Sequence, residues 1–253
     1  AYGFGVPQNR PRVMIMGVRD DILINTNLEP TPFDLNNKRE SYASQLRNNG
    51  GFFPQWDENN INAPDLIDVL SDLDFEGWNE SNQLYKFPAK SSFQKFIREN
   101  NRLDELGREI LSEHQFSNHS QRVISRFQYM LDNNVTKKSD LPLEIQTKKF
   151  NQKPLPPRWD NKPTMTVTSL PDDYIHYRKP RTFSVREWAR LQTFPDHYLF
   201  SGPRTTGGER RAGNPNEGNW NRDVPKYTQI GNAVSPLLAK AIGEHVIKIL
   251  EGY

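Results

Sequence analysis

An apolar heptapeptide close to the start of the chain places the strongest constraint on its fold. Residues 12–18 alternate Val13 and Ile15 on one face with Met14 and Met16 on the other. Because both faces are apolar, the pattern predicts a strand buried within a sheet. Such a strand needs neighbouring strands, and few later segments of the 253-residue chain are candidates to flank it.

The composition excludes several classes of protein. Cysteine is absent, which excludes disulfide scaffolds, thiolate metal sites and a cysteine nucleophile carried by this chain. The five histidines do not stand at metal-ligand spacing, so we expect no metal site. No apolar run is long enough to span a membrane, and the N-terminal residues lack a signal pattern. With a mean hydropathy of −0.84, these features favour a cytoplasmic protein.

Charge is distributed unevenly along the chain. Residues 151–253 hold 15 basic and 10 acidic side chains, whereas residues 57–113 hold 6 basic and 13 acidic side chains. The net charge of +5 in the first range permits contact with a polyanion, and the net charge of −7 in the second opposes it. Two ordinary solvated surfaces would give the same asymmetry. We expect the acidic range to serve packing or a contact with another protein.

Apolar residues recur at helical spacing in four parts of the chain. The four stripes are Leu66, Ile67, Leu70 and Leu73; Leu103, Leu106, Ile110 and Leu111; Val123, Phe127, Met130 and Leu131; and Val234, Leu238, Ala241, Ile242, His245 and Ile249. Ser184 and Glu187 stand at the spacing of a capping box, which predicts a fifth helix that ends before Pro195.

The remaining sequence predicts loops and one half-buried strand. Residues 164–168, Thr-Met-Thr-Val-Thr, alternate Met165 and Val167 on one face with three threonines on the other. Residues 19–60 are mostly loop because they are rich in Asn, Asp, Pro and Gly, and residues 201–224 predict a long flexible loop.

Three segments of the sequence match the motif blocks of one enzyme family. They are Gly5-Val-Pro-Gln-Asn-Arg-Pro-Arg12 with the strand after it, Arg181-Thr-Phe-Ser-Val-Arg-Glu-Trp-Ala-Arg-Leu-Gln-Thr-Phe-Pro195, and Tyr227-Thr-Gln-Ile-Gly-Asn-Ala-Val-Ser-Pro236. In this order they resemble the eighth, ninth and tenth motif blocks of the DNA (cytosine-5) methyltransferases. Ser235 departs from the pattern, because the family commonly has a proline there.

The resemblance implies an α/β fold, namely the C-terminal part of an S-adenosylmethionine-dependent methyltransferase. Residues 1–24 would hold one strand of the catalytic-domain sheet, and residues 225–253 the helix that returns to that domain. Residues 25–202 would form an inserted target recognition domain of mixed α+β structure that includes the ninth block. Residues 203–224 would be a flexible basic loop, which either touches the DNA backbone or stays disordered.

The eighth block is implied to act in catalysis. In the family, a cysteine thiolate attacks C6 of a flipped cytosine, and S-adenosylmethionine then methylates C5. By resemblance Arg12, supported by Arg10, donates to the O2 of that cytosine, since arginine stays charged and has forked donors. Considered without the family, both residues are more readily interpreted as surface arginines at the start of a strand, and the family match reverses that preference.

The tenth block is implied to bind the cofactor, S-adenosyl-L-methionine. Gly231 precedes the last predicted helix, where a small residue and exposed amides allow a ligand to approach closely. By resemblance Asn232, Ala233 and Val234 line the pocket, which would be shared with the N-terminal portion of the family fold. Capping of the last helix by Asn232 is the simpler alternative, and both roles are compatible.

The expected contacts with double-stranded DNA lie in the predicted recognition domain. Thr166 and Val167 fall on a Thr-plus-apolar pair that recurs in such domains. Thr164, Thr166 and Thr168 share a face that suits base edges or thymine methyl groups, although ordinary strand preference explains the threonines equally well. Arg158 is a candidate for contact with guanine or phosphate.

Two further expectations concern the scaffold. Arg186 and Arg190 lie on the predicted capped helix of the ninth block, and we expect them to form structural ion pairs. His119 lies in a stretch that resembles one seen in many recognition domains, and we expect it to be a hydrogen-bonding residue rather than a metal ligand.

The sequence lacks the family's Gly-rich cofactor loop, its Pro-Cys-Gln nucleophile and its Glu-Asn-Val segment. We therefore expect a DNA-recognition subunit or portion of a site-specific methyltransferase, of the restriction-modification kind, that methylates only together with a catalytic polypeptide or N-terminal portion. A naturally split enzyme and a fragment fit equally. The alternative is a stand-alone DNA-binding or regulatory module without activity. The strand at 12–18 and the helix at 232–250 should pack on structure outside this sequence.

Overall fold

The computed structural model describes residues 1–12, 14–26, 28, 51–55, 63–75, 83–146, 152–205, 218 and 224–251. The helices are α1 (Asp20–Leu23), α2 (Leu66–Leu70), α3 (Ser92–Ile97), α4 (Gln121–Asp132), α5 (Val185–Leu191), α6 (Lys226–Asn232) and α7 (Pro236–Glu251). Short 3-10 helices lie at Tyr2–Phe4, Ser71–Leu73, Lys138–Asp140, Leu143–Ile145 and Pro171–Asp173. Within these ranges, none of the helices is long and apolar enough to cross a lipid bilayer.

Two small sheets complete the described secondary structure. Strand β1 (Gln83–Leu84) pairs antiparallel with β2 (Ile110–Leu111). Strand β3 (Lys153–Pro154) pairs parallel with β4 (Tyr174–Ile175). The described part of the chain is therefore a mixed α and β structure in which short strands join segments that are distant in sequence.

Helix α5 lies at the centre of the core, and all seven of its residues are buried. The Ser184 hydroxyl accepts from the Glu187 amide at 3.1 Å, and the Glu187 carboxylate accepts from the Ser184 amide at 2.8 Å. These two bonds form the predicted capping box, which begins the helix. The main apolar cluster joins α5 to α2 and α6 through Leu66, Leu70, Trp188, Leu191, Tyr227 and Ile230.

Helices α2, α4, α5 and α7 confirm four of the predicted helices. Helix α3, which no apolar stripe indicated, begins at a second capping box between Ser91 and Gln94. The predicted helix through Leu103 and Ile110 is wrong. Leu103 instead forms an antiparallel bridge, and Ile110 lies in β2.

A turn replaces that predicted helix for a local reason. The Asp104 carboxylate accepts from the amides of Leu106 at 3.0 Å and Arg108 at 2.8 Å, and Gly107 has a φ of 74°. An aspartate that binds the amides after it favours a turn, because those amides are then lost to a helix. Of the two exposed leucines of this stripe, Leu106 therefore lies on the turn and Leu103 in the bridge that precedes it.

The apolar segment near the chain start forms no ladder with the described residues, contrary to the prediction for 12–18. Residues 14–18 carry no strand, Ile15 is 94% exposed, and Val13 lies outside the described residues. A strand exists only where a neighbour satisfies its backbone hydrogen bonds, and no described segment pairs with this one. The sequence pattern is right about the apolar character and wrong about strand formation in this structure.

Residues 164–168 also lack a regular ladder, although they keep the predicted alternation. Met165 and Val167 are fully buried, and Thr164 is exposed. The backbone partners of this segment lie near the chain start, where the Asn9 amide donates to the Met165 carbonyl at 2.8 Å. The segment is therefore held by the residues just before the apolar heptapeptide rather than by a sheet.

Helix α7 covers little of the described core. Leu238 is buried, whereas Ile247 and Leu250 are each about half exposed, at 53% and 51%. The C-terminal half of α7 and the residues around α1 form an open groove of about 210 Å³. Met16, Val18, Ile22, Val246, Ile249 and Leu250 line it.

Candidate functional site at the junction of three motif segments

Segments from the three motif blocks meet around the backbone of Val167. The first segment contributes Gln8 and Arg10, the second contributes Gln192, and the third contributes Gly231. We call these five residues the motif junction. It lies where the predicted catalytic, recognition and cofactor residues come together.

Arg10 bridges the tenth block and residues 164–168, which we call the recognition segment. Its Nη1 donates to the Val167 carbonyl oxygen at 2.6 Å and to the Gly231 carbonyl oxygen. Burial, and then the charge of Arg12, lower the pKa of Arg10 from its ordinary value. Arginine remains charged even so, which makes both hydrogen bonds charge-assisted. Arg10 therefore serves to hold two backbone segments together.

Because Gly231 has no side chain, the backbone of α6 packs directly against the backbone of Thr168 and Ser169. A Cβ atom at this position would lie 2.3 Å from the Thr168 carbonyl oxygen and 2.5 Å from the Ser169 amide nitrogen. The indole of Trp188 donates to the same Thr168 oxygen at 2.9 Å. The room that Gly231 leaves is thus filled by the protein's own backbone, and not kept open for a ligand as the sequence suggested.

Two buried glutamines complete the motif junction. Gln8 and Gln192 are 0% and 1% exposed. The Gln8 side chain accepts from the Val167 amide at 2.9 Å and donates to the Gln192 side chain. The Gln192 side chain then donates to the carbonyl oxygens of Ile230 at 3.1 Å and Ala233 at 2.7 Å.

The predicted cofactor residues lie between α6 and α7, beside the motif junction. Asn232 is the exposed last residue of α6, Ala233 is half-buried, and Val234 is 64% exposed. Asn232 does not cap the last helix as the alternative proposed. The Thr193 hydroxyl does so instead, since it accepts from the Leu237 amide at 3.2 Å.

Arg12 differs from Arg10 in being exposed to solvent. The contact recorded for its guanidinium is a donation to the Pro11 carbonyl at 2.7 Å. Because Pro11 is its own neighbour in the chain, this bond does not anchor Arg12 to another element. Arg10 is therefore held in the motif junction, whereas Arg12, two residues further along the chain, is exposed at its edge.

The predicted DNA-contacting threonines are engaged to different degrees. The Thr166 hydroxyl donates to the Asn9 carbonyl at 2.6 Å, and the Thr168 hydroxyl donates to the Leu170 carbonyl at 2.9 Å. Thr164 is exposed, whereas the Val167 side chain is fully buried. In this structure Thr164 is the most accessible of the four, and Val167 contributes to the core and to the motif junction.

Arg158 lies apart from the motif junction on an ion pair of its own. Its Nη1 donates to the Asp65 carboxylate at 2.9 Å, and the same carboxylate accepts from the Trp159 amide at 2.8 Å. The Arg158 side chain is 66% exposed, so this pair is weak and exchangeable. A phosphate could replace the carboxylate as its partner.

Comparisons with known proteins identify the family of the chain. The family model for C-5 cytosine-specific DNA methylases matches residues 1–248. The chain belongs to this family. The methylase M.DdeI of Desulfomicrobium norvegicum, a type II methyltransferase, is 28% identical over 97% of this chain and 52% of its own length. The type II methyltransferase M.Bpa9945I of Bacillus paralicheniformis is 27% identical over 99% of this chain and 50% of its own length.

This C-5 cytosine-specific DNA methylase chain spans about half the length of those two curated relatives. A shorter relative, the type II methyltransferase M.AquIB of Picosynechococcus, is 38% identical over 34% of this chain and 57% of its own length. A solved structure described as a DNA modification methyltransferase from E. coli covers 78% of this chain and 52% of its own, at 21% identity and a TM-score of 0.46. Because its identity and TM-score are low, no residue of this chain is assigned a role from that structure.

Arg186 and Arg190 of the ninth block are structural in this chain, as predicted. Arg186 and Arg190 are fully buried. Arg190 pairs with Asp72 at 2.5 Å and Asp196 at 2.6 Å. Although burial opposes its charge, Asp196 and then Asp72 hold the pKa of Arg190 well above its ordinary value. Asp72 belongs to the acidic range 57–113, so one of its buried acids serves packing, as the charge pattern suggested.

The Glu187 carboxylate of the same block has a second task besides capping. It receives two hydrogen bonds of 2.7 Å from Arg181. Although burial opposes ionisation, the charge of Arg181 and these bonds hold the pKa of Glu187 well below its usual range. The ion pair and the capping box together make α5 a rigid support for the motif junction.

Two histidines of the chain, His114 and His119, act as hydrogen-bonding residues. The His119 Nε2 accepts from the Thr182 amide at 3.3 Å, as predicted for that residue. His114 lies between the Ser184 hydroxyl at 2.8 Å and the Leu73 carbonyl at 3.1 Å. Burial lowers the pKa of His114 to about 4. In the described ranges no three His, Asp or Glu side chains are grouped so that they could hold a metal ion.

Sequence reasoning missed three residues that organise this site, namely Gln8, Gln192 and Thr193. Each lies inside a motif block, and the family resemblance drew attention to the arginines instead. Gln192 and Thr193 are buried polar residues in a segment that otherwise reads as apolar helix followed by proline. Buried polar side chains need partners, so their position in the block is the signal that could have indicated an internal network.

Proposed function

We propose that the chain is the DNA-recognition portion of a site-specific DNA (cytosine-5) methyltransferase. It would methylate a flipped cytosine only together with a portion that carries the Gly-rich cofactor loop and the Pro-Cys-Gln nucleophile. The observation that carries the proposal is the motif junction, where Arg10 binds Val167 and Gly231 and Gln8 binds Gln192, so that residues of three motif blocks converge. Segments that matched the motif blocks only by chance would not be expected to lie together in the fold.

Arg12 is the residue through which this chain takes part in the chemistry. Attack of a thiolate on C6 of cytosine places negative charge on the ring, and part of that charge reaches O2. The exposed guanidinium of Arg12, two residues after the anchored Arg10, is suited to donate to that oxygen, because it is charged and has forked donors. Arg10 acts on the reaction through position alone.

The residues between α6 and α7 suit one wall of a cofactor site. The exposed amide of Asn232 can meet polar groups of a ligand, and the partly exposed Ala233 and Val234 can meet its apolar parts. S-adenosylmethionine would supply the methyl group to C5. The opposite wall would come from the portion with the Gly-rich loop, so this chain alone would bind the cofactor weakly.

Double-stranded DNA would lie along the exposed residues near the motif junction. Thr164 is accessible to base edges, and Arg158 can exchange the Asp65 carboxylate for a phosphate. The net charge of +5 on residues 151–253 favours this placement. The more acidic range 57–113 would face away from the duplex.

The catalytic portion has a place to dock. The groove between α7 and residues 16–22 is apolar and open, and Ile15 beside it is almost fully exposed. The backbone at 14–18, which forms no hydrogen bond with another described backbone group, offers hydrogen bonds to an added strand. We therefore propose that the nucleophile-carrying portion covers this groove and completes the sheet that the apolar heptapeptide predicts.

The test is reconstitution with a polypeptide that carries the Pro-Cys-Gln portion of a matched enzyme. The complex should transfer a methyl group from S-adenosylmethionine to one DNA site, and the chain alone should transfer none. Arg12→Ala should lower turnover of the complex at least about 100-fold while its affinity for DNA stays within about two-fold. Absence of methylation by a well-folded complex would overturn the proposal.

Arg108→Ala is the matched control, because Arg108 is an exposed arginine that lies outside the motif blocks and pairs with Asp104. It should leave turnover and DNA affinity unchanged. If Arg12→Ala weakens DNA binding and turnover equally, Arg12 is a phosphate contact rather than a group for the cytosine. Specific DNA binding by the chain alone, without methylation after reconstitution, would identify a stand-alone binding module instead.

A further inference from the structure

A continuous line of side-chain amides joins the recognition segment to the predicted cofactor loop. The Val167 amide donates to Gln8 Oε1 at 2.9 Å, and Gln8 Nε2 donates to Gln192 Oε1. Gln192 Nε2 then donates to the carbonyl oxygens of Ile230 and Ala233. The line therefore starts on the backbone beside Thr166 and ends on the backbone beside Asn232.

The direction of every bond in this line is determined by its two ends. The Val167 amide can only donate, so the Gln8 atom that faces it must be oxygen. The carbonyls of Ile230 and Ala233 can only accept, so the Gln192 atom that faces them must be nitrogen. The middle bond then has one possible sense. Neither glutamine can turn its amide over without leaving buried polar groups unsatisfied.

A second link runs parallel to the first. Arg10 binds the Val167 carbonyl and the Gly231 carbonyl, so both polar groups of the Val167 backbone are tied toward the same loop. Gly231 contacts the Thr168 carbonyl with no room for a Cβ atom. Because these segments are close-packed and bonded at several points, a displacement of one must be shared by the other.

We propose that Gln8 and Gln192 are positioning residues that couple the recognition segment to the loop at 230–234. This inference rests on the proposed function, in which DNA contacts the first segment and the cofactor contacts the second. Contact with DNA near Thr166 is transmitted through the two glutamines to Ile230 and Ala233. Such coupling is reciprocal. The factor by which bound DNA changes the affinity of the loop for a ligand is also the factor by which that ligand changes the affinity for DNA.

The first test uses the full chain without DNA. It measures amide hydrogen exchange at one end of the line after a glutamine at the other end has been substituted. Gln192→Met removes the acceptor for Gln8 but does not touch Val167. Exchange of the Val167 amide hydrogen should nevertheless become at least about ten-fold faster. Gln8→Met should likewise accelerate exchange at residues 231–234, which Gln8 does not contact. Amides of α4 should exchange as in the wild type, which excludes general loosening.

Gln94→Met is the matched control for losing a buried glutamine. Gln94 is fully buried, and its side chain is hydrogen-bonded at the start of α3, outside the motif junction. It should lower the melting temperature without changing exchange at Val167 or at 231–234. Unchanged exchange at the far end in both junction variants would overturn the coupling proposal. If Gln192→Met does not fold, Gln8→Glu, which keeps the acceptor for Val167, provides the same test.

The second test uses the reconstituted complex and the duplex that the wild type methylates. S-adenosylhomocysteine should tighten DNA binding at least about five-fold in the wild type, and this factor should fall to near one in Gln192→Met. An unchanged factor in the variant would contradict the coupling. A wild-type complex that binds no DNA would defeat the proposed function, and the exchange measurements would still decide for or against the line of glutamines.

Discussion

At the scale of single residues, close backbone contacts and buried polar groups account for the arrangement of the motif junction better than exposed charges do. Gly231 is required because the Thr168 carbonyl occupies the space of a side chain. Gln8 and Gln192 are required because four backbone groups depend on them, those of Val167, Leu191, Ile230 and Ala233. Arg10 and Arg12 stand two positions apart and differ in their contacts, because Arg10 binds two backbone carbonyls of other segments whereas Arg12 is exposed to solvent.

Gly231→Ala should destabilise the chain by about 3 kcal/mol, because the added Cβ would overlap two backbone atoms that cannot move aside. The free energy of unfolding from denaturant titration measures this effect. Gly243→Ala is the control, since a Cβ there meets nothing within 4 Å and Gly243 lies inside α7. That change should stabilise by up to about 1 kcal/mol through helix propensity. Equal stabilities of the two variants would contradict the close approach.

At the scale of elements, α5 and α7 illustrate two opposite situations. Helix α5 begins at a capping box, is buried on every side and holds buried ion pairs through Glu187 and Arg190. Helix α7 carries a single buried side chain, Leu238, among its described residues, and Ile247 and Leu250 are about half exposed. An apolar helix face that stays exposed is costly in water, so a partner surface is expected to cover it.

Ile247→Glu should prevent assembly with the catalytic portion and leave the stability of the free chain almost unchanged. Ile247 is 53% exposed, so a charge there costs little until a partner surface removes its water. Titration calorimetry or size-exclusion chromatography of the mixture measures the loss. Lys240→Glu, on an exposed part of α7 with its own ion pair, is the control and should assemble like the wild type. Normal assembly of Ile247→Glu would place the docking surface elsewhere.

At the scale of the whole molecule, buried histidines make stability depend on pH. Burial lowers the pKa of His114 to about 4 and that of His176 well below its ordinary value, so both are neutral when folded. In the unfolded chain a histidine binds its proton near pH 6.5. The unfolded state therefore gains protons first as the pH falls, and stability is lost from about pH 6.5 down to about 4.

The free energy of unfolding should fall by up to about 1.4 kcal/mol per pH unit for each of these histidines in that window. Chemical denaturation between pH 7.5 and about 4.5 measures the slope. His114→Gln should reduce the slope, because it removes one group that binds a proton only when unfolded. His197→Gln is the control, since His197 is exposed, and its slope should match the wild type. A flat profile in the wild type would contradict neutral buried histidines.

The sequence by itself determined the family, the amphipathic helices and the capped helix of the ninth block. These depend on local periodicity, on capping residues and on motif order, all of which are written in short stretches of chain. It also indicated the structural role of Arg186 and Arg190, because charged residues on a capped helix next to apolar residues need partners. The turn at Asp104 was misread, because one aspartate and one glycine outweighed an apolar spacing.

Only the tertiary structure decided which residues of the motif blocks touch each other. Val167 and Gly231 are 64 positions apart and meet through Arg10, and Gln8 and Gln192 are 184 positions apart. No local pattern encodes such contacts, because they arise when the chain buries its core and every buried polar group must find a partner. The same reasoning explains the apolar heptapeptide: its composition is local, but whether it becomes a strand depends on a neighbour.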